Sequence, residues 1–160
     1  FGDNASIKAR HAARLTGLPA IADDSGLEVD ILQGAPGIYS ARYAGPGATD
    51  ADNNAKLLAE LAARGAHEAR ARFQCVLVFM RHERDPVPLI AQGTWEGVIT
   101  PAARGANGFG YDPVFFVPAA GCTSAELPAD EKNRLSHRGQ ALAALVALLR
   151  RTTAPPADAT

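Results

Sequence analysis

Two adjacent carboxylates, Asp23 and Asp24, are the residues of this sequence best suited to chemistry. They follow the apolar segment Ala20-Ile21-Ala22 and precede Ser25-Gly26. Magnesium prefers oxygen ligands and is usually held by one or two carboxylates together with substrate phosphates. Asp, Ser and Gly are also common in solvated turns, because they form local hydrogen bonds or relieve the backbone. The pattern predicts a turn after a short strand and leaves open whether that turn binds a metal.

Lys8, Lys132, His137 and Arg138 form a second group of candidates, because they lie beside predicted helix starts or glycine-rich loops. His137 and Arg138 fall in the first turn of the predicted last helix, where the helix dipole disfavours positive charge. Cations placed against this preference indicate contact with a ligand. The alternative is that both side chains simply point into solvent.

The segment Phe109-Gly110-Tyr111-Asp112, in a glycine-rich region, is a third candidate. An aromatic ring can stack on a nucleobase, and the Asp112 carboxylate can accept a hydrogen bond from a ring N–H. Core packing of Phe109 and Tyr111 is the alternative. The segment alone does not decide between base binding and packing.

The composition limits the classes of function. A chain of 160 residues fits one domain, or one domain of two closely packed lobes. Its formal net charge of −1 provides no general field for nucleic acid or membranes, so we expect neither partner. Phosphates must then be held by a few placed cations, and no apolar run is long enough to span a membrane. Two widely separated cysteines, with Cys75 in an apolar run, favour a reduced, cytoplasmic protein.

The elements that must position these residues are helices and strands in mixed order. Helices are predicted at Asn4–Leu15, Ala51–Arg64 and after an N-cap at Ser136. Gly17 is expected to end the first helix, and Thr49 or Asp50 to cap the second. The core-facing stripe of the last helix is expected to be Leu142, Leu145, Val146 and Leu149.

The strands follow from alternating or continuous apolar runs. They are predicted at Leu27–Ile31, Phe73–Met80, Leu89–Thr100 and Val114–Val117, with a hairpin between the second and the third. The class is therefore α/β. We expect one domain at 1–151 and a flexible tail at 152–160, where Pro, Ala, Thr and Asp dominate.

Four segments occur together in an order and spacing that closely resemble one family. They are Ala22-Asp23-Asp24-Ser25-Gly26-Leu27, Gly34-Ala35-Pro36-Gly37-Ile38-Tyr39-Ser40-Ala41-Arg42-Tyr43, Gly108-Phe109-Gly110-Tyr111-Asp112-Pro113 and Ser136-His137-Arg138. The sequence resembles the inosine/xanthosine triphosphate pyrophosphatase family, in particular its bacterial members that act on noncanonical purine nucleotides. The resemblance runs from Phe1 to about Arg150.

The resemblance implies an α/β fold with a mixed twisted sheet, flanking helices and two lobes around a central cleft. It implies Mg2+-dependent hydrolysis of ITP, dITP and XTP to the monophosphate and pyrophosphate, which removes deaminated purines from the nucleotide pool. It also implies a homodimer. A non-catalytic purine-nucleotide-binding module and a related pyrophosphatase for modified pyrimidine nucleotides are the alternatives.

The resemblance also implies roles for individual residues. Asp24 matches the general base and magnesium ligand, and Asp23 supports it as a second ligand. Ser25 matches a substrate contact, and Lys8 matches a lysine that reaches the phosphates. The residues that match the base pocket are Phe109, Gly110, Tyr111, Asp112, Lys132, His137 and Arg138.

The base choice expected from these matches rests on the 6-oxo group of hypoxanthine or xanthine. Donors on His137, Arg138 or Lys132 would satisfy this acceptor, whereas the 6-amino group of adenine would face another donor. A site built on buried donors can reject the wrong base by orders of magnitude. Guanine also carries a 6-oxo group, and the sequence does not show how its 2-amino group is excluded.

The sequence departs from the family pattern at its beginning. The family starts with a strand, a Thr-Gly-Asn…Lys phosphate loop and a metal-binding Glu, and nothing in this chain matches them. Because the chain opens at Phe1 without Met, we expect the natural protein to carry this segment upstream. Without it, triphosphate binding should be impaired and a sheet edge exposed.

Overall fold

The computed structural model describes residues 1–153, and the predicted tail from residue 154 onward lies outside the described residues. The helices are α1 Gly2–Thr16, α2 Asp50–Ala63, α3 Ala129–Leu135 and α4 His137–Thr153. The strands are β1 Ala20–Val29, β2 Ala69–Met80, β3 Leu89–Ile99, β4 Phe115–Val117 and β5 Cys122–Thr123. Helices and strands are combined as expected, but α4 continues two residues into the predicted tail. Residues 1–153 include no helix with the length and apolar character needed to cross a membrane.

The five strands form one sheet in the order β1-β2-β3-β4-β5, and each described pair of neighbours is antiparallel. The predicted hairpin of β2 and β3 is confirmed, because the two strands pair from Ala69↔Ile99 to Phe79↔Leu89. The expected mixed sheet is not found among residues 1–153. Neighbours in the sheet are also neighbours in sequence, and antiparallel pairs can be joined by short connections.

The predicted turn at the two carboxylates is wrong. Asp23 and Asp24 lie in the middle of β1, opposite Leu77 and Val76 of β2. Pairing with β2 supplies the backbone partners that a turn would otherwise have to provide locally. Gly26 allows the carbonyl oxygen of Gly37 to pack directly against this strand, because a Cβ at residue 26 would overlap that oxygen. Because successive side chains of a strand point to opposite faces, Asp23 and Asp24 contact different parts of the molecule.

The sheet has two halves with different cores, which agrees with the expectation of two lobes. In one half, α1 covers one face through Ala5 and Ala9, while α4 covers the other through Ala141 and Leu145. The core of the other half is a hydrophobic cluster built around the aromatic rings of Phe73, Trp95 and Phe115, together with Leu57. Cys75 is fully buried between β2 and α4, as predicted, and burial raises the pKa of its thiol to about 11.

The first two helices begin or end at the predicted residues. Gly17 ends α1 in the left-handed conformation, where glycine carries no steric penalty. Thr49 caps α2 and forms a capping box with Asp52. These boundaries were predictable because both signals are local in sequence.

The last two helices differ more from expectation. Ser136 does cap α4, since its Oγ accepts a hydrogen bond from the Gly139 N–H at 3.1 Å. However, Leu142 is 55% exposed, and Ala141 packs against the sheet in its place. The helix approaches Gly93 so closely that a Cβ there would overlap the His137 carbonyl oxygen, which favours a small residue at the contact. The short helix α3 was missed because it buries none of its residues and has no apolar stripe.

Candidate active site

A cleft of about 280 Å³ lies where the two halves of the sheet meet. Its walls come from β1, the start of α2, the glycine-rich loop and the junction of α3 with α4. The predicted site residues that line it are Ser25, Phe109, Gly110, Tyr111, Asp112, Lys132, His137 and Arg138. Lys8, Asp23 and Asp24 lie beside the cleft rather than in its lining.

Asp24 faces α1 and meets a lysine there. Lys8 Nζ lies 3.3 Å from Asp24 Oδ1 and 3.1 Å from the Asp23 carbonyl oxygen. The Asp24 side chain is 15% exposed, whereas Lys8 is 56% exposed and reaches inward from solvent. Asn4, which is not among the predicted site residues, donates to Asp24 Oδ2 at 3.4 Å. Its position one turn before Lys8 is the sequence signal that places both side chains on this face.

Asp23 and Ser25 face the opposite side of the sheet, toward α4. Arg138 donates to Ser25 Oγ at 3.0 Å, and the same guanidinium lies 3.6 Å from Asp23 Oδ2. The partner carboxylate offsets the unfavourable position of Arg138 at the helix N-terminus. The prediction that Asp23 and Asp24 together hold one magnesium ion does not agree with this geometry, because the strand directs them to opposite faces.

The donor set around Asp24 fits a magnesium ion held mainly by substrate. Within residues 1–153, no group of three or more His, Cys, Asp and Glu side chains could hold a metal ion. Magnesium does not require such a cage, because it keeps several waters and is often bound through one or two carboxylates plus phosphates. Asp24 offers one such carboxylate: it is partly exposed, and the donor on its Oδ1 is the exposed Lys8, while Asn4 holds its Oδ2.

His137 is buried and neutral rather than cationic. Its ring stacks on Phe73 with centroids 4.7 Å apart and lies 6.4 Å from the ring of Trp95. Burial lowers the pKa of His137 to about 4, and the neighbouring charge of Arg138 adds to this effect. Its Nδ1 atom is buried without a hydrogen-bond partner among the described residues. The ring therefore forms an aromatic wall of the cleft, and its buried Nδ1 has no protein partner among the described residues.

Asp112 is buried and already occupied by protein donors. Lys132 Nζ lies 2.5 Å from Asp112 Oδ2, which also accepts from the Phe109 N–H at 3.0 Å. Ser124, which sequence reasoning missed, donates to Asp112 Oδ1 at 2.8 Å. The expectation that Asp112 accepts a hydrogen bond from the base is therefore not supported, because this carboxylate organises the loop. Gly108 has a φ of +74°, and a Cβ there would overlap the carboxylate.

Phe109 and Tyr111 have different surroundings although they are close in sequence. Tyr111 is 5% exposed, and its hydroxyl donates to the Ser40 carbonyl oxygen at 2.6 Å. Burial raises the pKa of Tyr111, so this hydroxyl remains a donor. Phe109 is 59% exposed, with Lys132 Nζ and Arg138 Cζ each 5.0 Å from its ring centroid. Of these two rings, only Phe109 is exposed enough to stack on a base.

Comparison with known proteins identifies the family. The model of the Ham1 family matches residues 1–148. The chain belongs to the Ham1 family. The expected family is confirmed by Ham1 relatives that bear the name dITP/XTP pyrophosphatase.

Two such relatives and one solved Ham1 structure show how far the similarity extends. The Photobacterium profundum protein named dITP/XTP pyrophosphatase is 63% identical over 150 residues, or 94% of this chain and 76% of the relative. The Vibrio parahaemolyticus protein of the same name is 62% identical over 154 residues, or 96% and 77%. A HAM1 protein from Coxiella burnetii matches with a TM-score of 0.89 and 55% identity, covering 92% of this chain and 75% of that one.

Proposed function

We propose that this Ham1 protein hydrolyses noncanonical purine nucleoside triphosphates, such as ITP, dITP and XTP, to the monophosphate and pyrophosphate. The observation that carries the proposal is the exposed ring of Phe109 with two cationic groups beside it, in a cleft that is also lined by Ser25 and Gly26 of the strand that holds Asp24. The names of the relatives at 62–63% identity support the same substrate class.

The base is proposed to bind on the α4 side of the sheet. Phe109 offers the stacking face, and Lys132 and Arg138 offer donors to a 6-oxo group beside it. The neutral His137 contributes a ring nitrogen that can pair with one edge of the base. A 6-amino group would face these donors with donors of its own and leave them unpaired, which opposes adenine.

The triphosphate is proposed to extend toward Asp24. The Asp24 carboxylate orients a water for attack on the α-phosphorus, and Lys8 steadies negative charge on the phosphates. The lysine can leave Asp24 for a phosphate at little cost, because exposed ion pairs are weak. Asp23 is proposed to position Arg138 rather than to bind metal.

Magnesium is proposed as the metal that Asp24 holds together with substrate phosphates. When bound, it would neutralise the phosphate charge that develops during hydrolysis. Removal of divalent cations with a chelator should abolish turnover, and added Mg2+ should restore it. Full activity in the chelator would contradict this part of the proposal.

The substrate assay compares ITP, XTP, GTP and ATP with Mg2+ present, and it measures both pyrophosphate and orthophosphate. We expect ITP and XTP to exceed ATP by about 100-fold in kcat/KM, because a missing hydrogen-bond partner in a buried polar site is costly. Pyrophosphate should be the product. Equal rates on all four nucleotides, or release of orthophosphate, would contradict the proposal.

The assembly and the location are also proposals. The family resemblance implies a homodimer, and the two widely separated cysteines favour a cytoplasmic location. Sedimentation equilibrium of the purified protein tests the assembly, with twice the chain mass as the expected result and a single-chain mass as the contradicting one.

A further inference from the structure

Two side chains of α2 hold the residue that follows Phe109. Asp50 Oδ2 accepts a hydrogen bond from the Gly110 N–H at 2.8 Å. Asn54 Nδ2 donates to the Gly110 carbonyl oxygen at 3.0 Å. Asp50 and Asn54 are one helical turn apart and therefore share a face of α2. Together they bind both backbone polar groups of Gly110, and we refer to this pair as the Gly110 clamp.

The cap of α2 requires neither member of the Gly110 clamp, although Asp50 lies in the first turn, where the helix dipole favours a carboxylate. The helix N-terminus is already capped by Thr49 and Asp52, which exchange hydrogen bonds of 3.1 and 2.9 Å. Asn54 Oδ1 is buried without a partner among the described residues, which is a free-energy cost. An apolar side chain of similar size would avoid that cost. Capping therefore does not account for Asp50, and apolar packing does not account for Asn54.

Phe109 needs support from outside its own loop. Its ring is 59% exposed, so packing alone does not hold it. On its N-terminal side, the Phe109 N–H donates to Asp112 Oδ2 at 3.0 Å. On its C-terminal side, Gly110 has a φ of +61°, and glycine can leave this conformation easily. The Asp112 N–H donates to the Phe109 carbonyl oxygen at 3.2 Å on this side, and the Gly110 clamp adds two hydrogen bonds that hold Gly110 itself.

We propose that Asp50 and Asn54 are positioning residues that hold the Phe109 ring ready to stack on the purine base. This inference rests on the proposed function, since it assumes that Phe109 binds the base. A ring that is already ordered loses less conformational freedom when the nucleotide binds, so binding is tighter. The clamp acts through the backbone of residues 109 and 110.

The test measures binding of inosine 5′-monophosphate by calorimetry to the full chain and to its variants. Asp50→Ala and Asn54→Leu should each weaken binding about tenfold, because part of the stacking free energy is then spent on ordering the loop. Asp50→Asn keeps an oxygen acceptor and should restore most of the affinity. The matched control is Asp52→Ala, which removes a carboxylate from the same turn and should lower the Tm without changing the affinity.

A double variant separates positioning from general damage to the fold. In a Phe109→Ala background, Asp50→Ala should cause no further loss of affinity, because the ring through which it acts is gone. Amide hydrogen exchange should also show that Gly110 loses protection in Asp50→Ala but not in Asp52→Ala. If Asp50→Ala does not fold, Asn54→Leu carries the same comparisons.

Several results would overturn the inference. The clamp alone is contradicted if both Asp50→Ala and Asn54→Leu bind inosine 5′-monophosphate with wild-type affinity. It is also contradicted if Asp50→Ala lowers the affinity as much in the Phe109→Ala background as it does in the wild type. A wild-type protein that binds inosine and adenosine monophosphates equally contradicts the base choice in the proposed function, but it does not contradict the clamp, because an aromatic ring stacks on either base. The comparison of these two nucleotides on the wild type therefore shows which proposal has failed.

Discussion

Lys8 and Lys132 each pair with an aspartate, but in opposite surroundings. Lys8 is 56% exposed and lies 3.3 Å from Asp24. Lys132 is 17% exposed and lies 2.5 Å from Asp112, which is almost fully buried. An open pair can exchange its partner for a substrate phosphate, whereas a buried pair with additional hydrogen bonds fixes the loop around it. In the proposed function, the α1 side of the site carries out the reaction and the α4 side recognises the base.

Strand β1 presents side chains to both faces of the sheet, because successive residues of a pleated strand point in opposite directions. β1 directs Asp24 toward Lys8 on the α1 face and Asp23 with Ser25 toward Arg138 on the α4 face. The groups proposed for catalysis and for recognition are therefore joined by a paired strand rather than by a loop. Changes at neighbouring positions of β1 should have effects of different kinds.

The largest expected effect is that of Asp24→Asn on turnover. We expect kcat to fall about 10³-fold, because the amide cannot act as a base, while nucleotide binding survives. Asp23→Asn is the matched control, one residue away on the opposite face, and it should mainly raise KM by loosening Arg138. Pyrophosphate release at saturating ITP measures both variants. Unchanged kcat in Asp24→Asn would remove Asp24 from the mechanism.

The second largest expected effect is on the free energy of unfolding, and it differs between variants of the two lysines. Lys132→Met leaves the buried carboxylate of Asp112 without its cation and should lower the free energy of unfolding by about 3 kcal/mol. Lys8→Met should change it by less than about 1 kcal/mol, because the pair is exposed. Urea unfolding of both variants gives these values. Equal losses would show that the two pairs are not different in kind.

The smallest effect is the pH dependence that His137 contributes to stability. Burial lowers the pKa of His137 to about 4 from the 6.5 of a free imidazole. Between these values the unfolded chain binds a proton that the folded chain does not, so this contribution is complete above pH 6.5 and is lost as the pH falls. Between about pH 7 and pH 5, we expect the wild type to lose roughly 2 kcal/mol from this residue.

The control for the pH effect is His137→Phe, which keeps an aromatic ring on Phe73 but cannot titrate. Urea unfolding at both pH values should show a smaller loss of stability in the variant than in the wild type. Carboxylates titrate in both proteins, so the difference isolates His137. Identical losses would mean that the imidazole is not protected from protonation by its burial.

The sequence predicted the parts of the molecule that depend on local signals. The end of α1 at Gly17 and the capping of α2 by Thr49 were predictable because each uses residues within one turn. The hairpin of β2 and β3 followed from two apolar runs separated by Asp85-Pro86. The candidates for base binding came from the glycine-rich loop and the Ser136-His137-Arg138 motif, and the structure brings these candidates to one cleft.

What the sequence did not predict depends on partners far along the chain. Asp23 to Gly26 look like a turn until β2, about fifty residues later, pairs with them. The sequence suggests a cation at His137, but stacking on Phe73 buries the ring, and burial lowers its pKa. Asp112 looks like a free acceptor until Ser124 and Lys132 occupy it. In each case tertiary contacts override a correct local preference.

The most direct test of the account is a crystal structure with an inosine triphosphate analogue whose α,β-bridging oxygen is replaced by a methylene group. We predict the base stacked on Phe109, its 6-oxo group within hydrogen-bond distance of Lys132 or Arg138, and the α-phosphate beside Asp24. A base bound away from Phe109 would contradict the account. The γ-phosphate beside Asp24, with the α-phosphate remote from it, would contradict it as well.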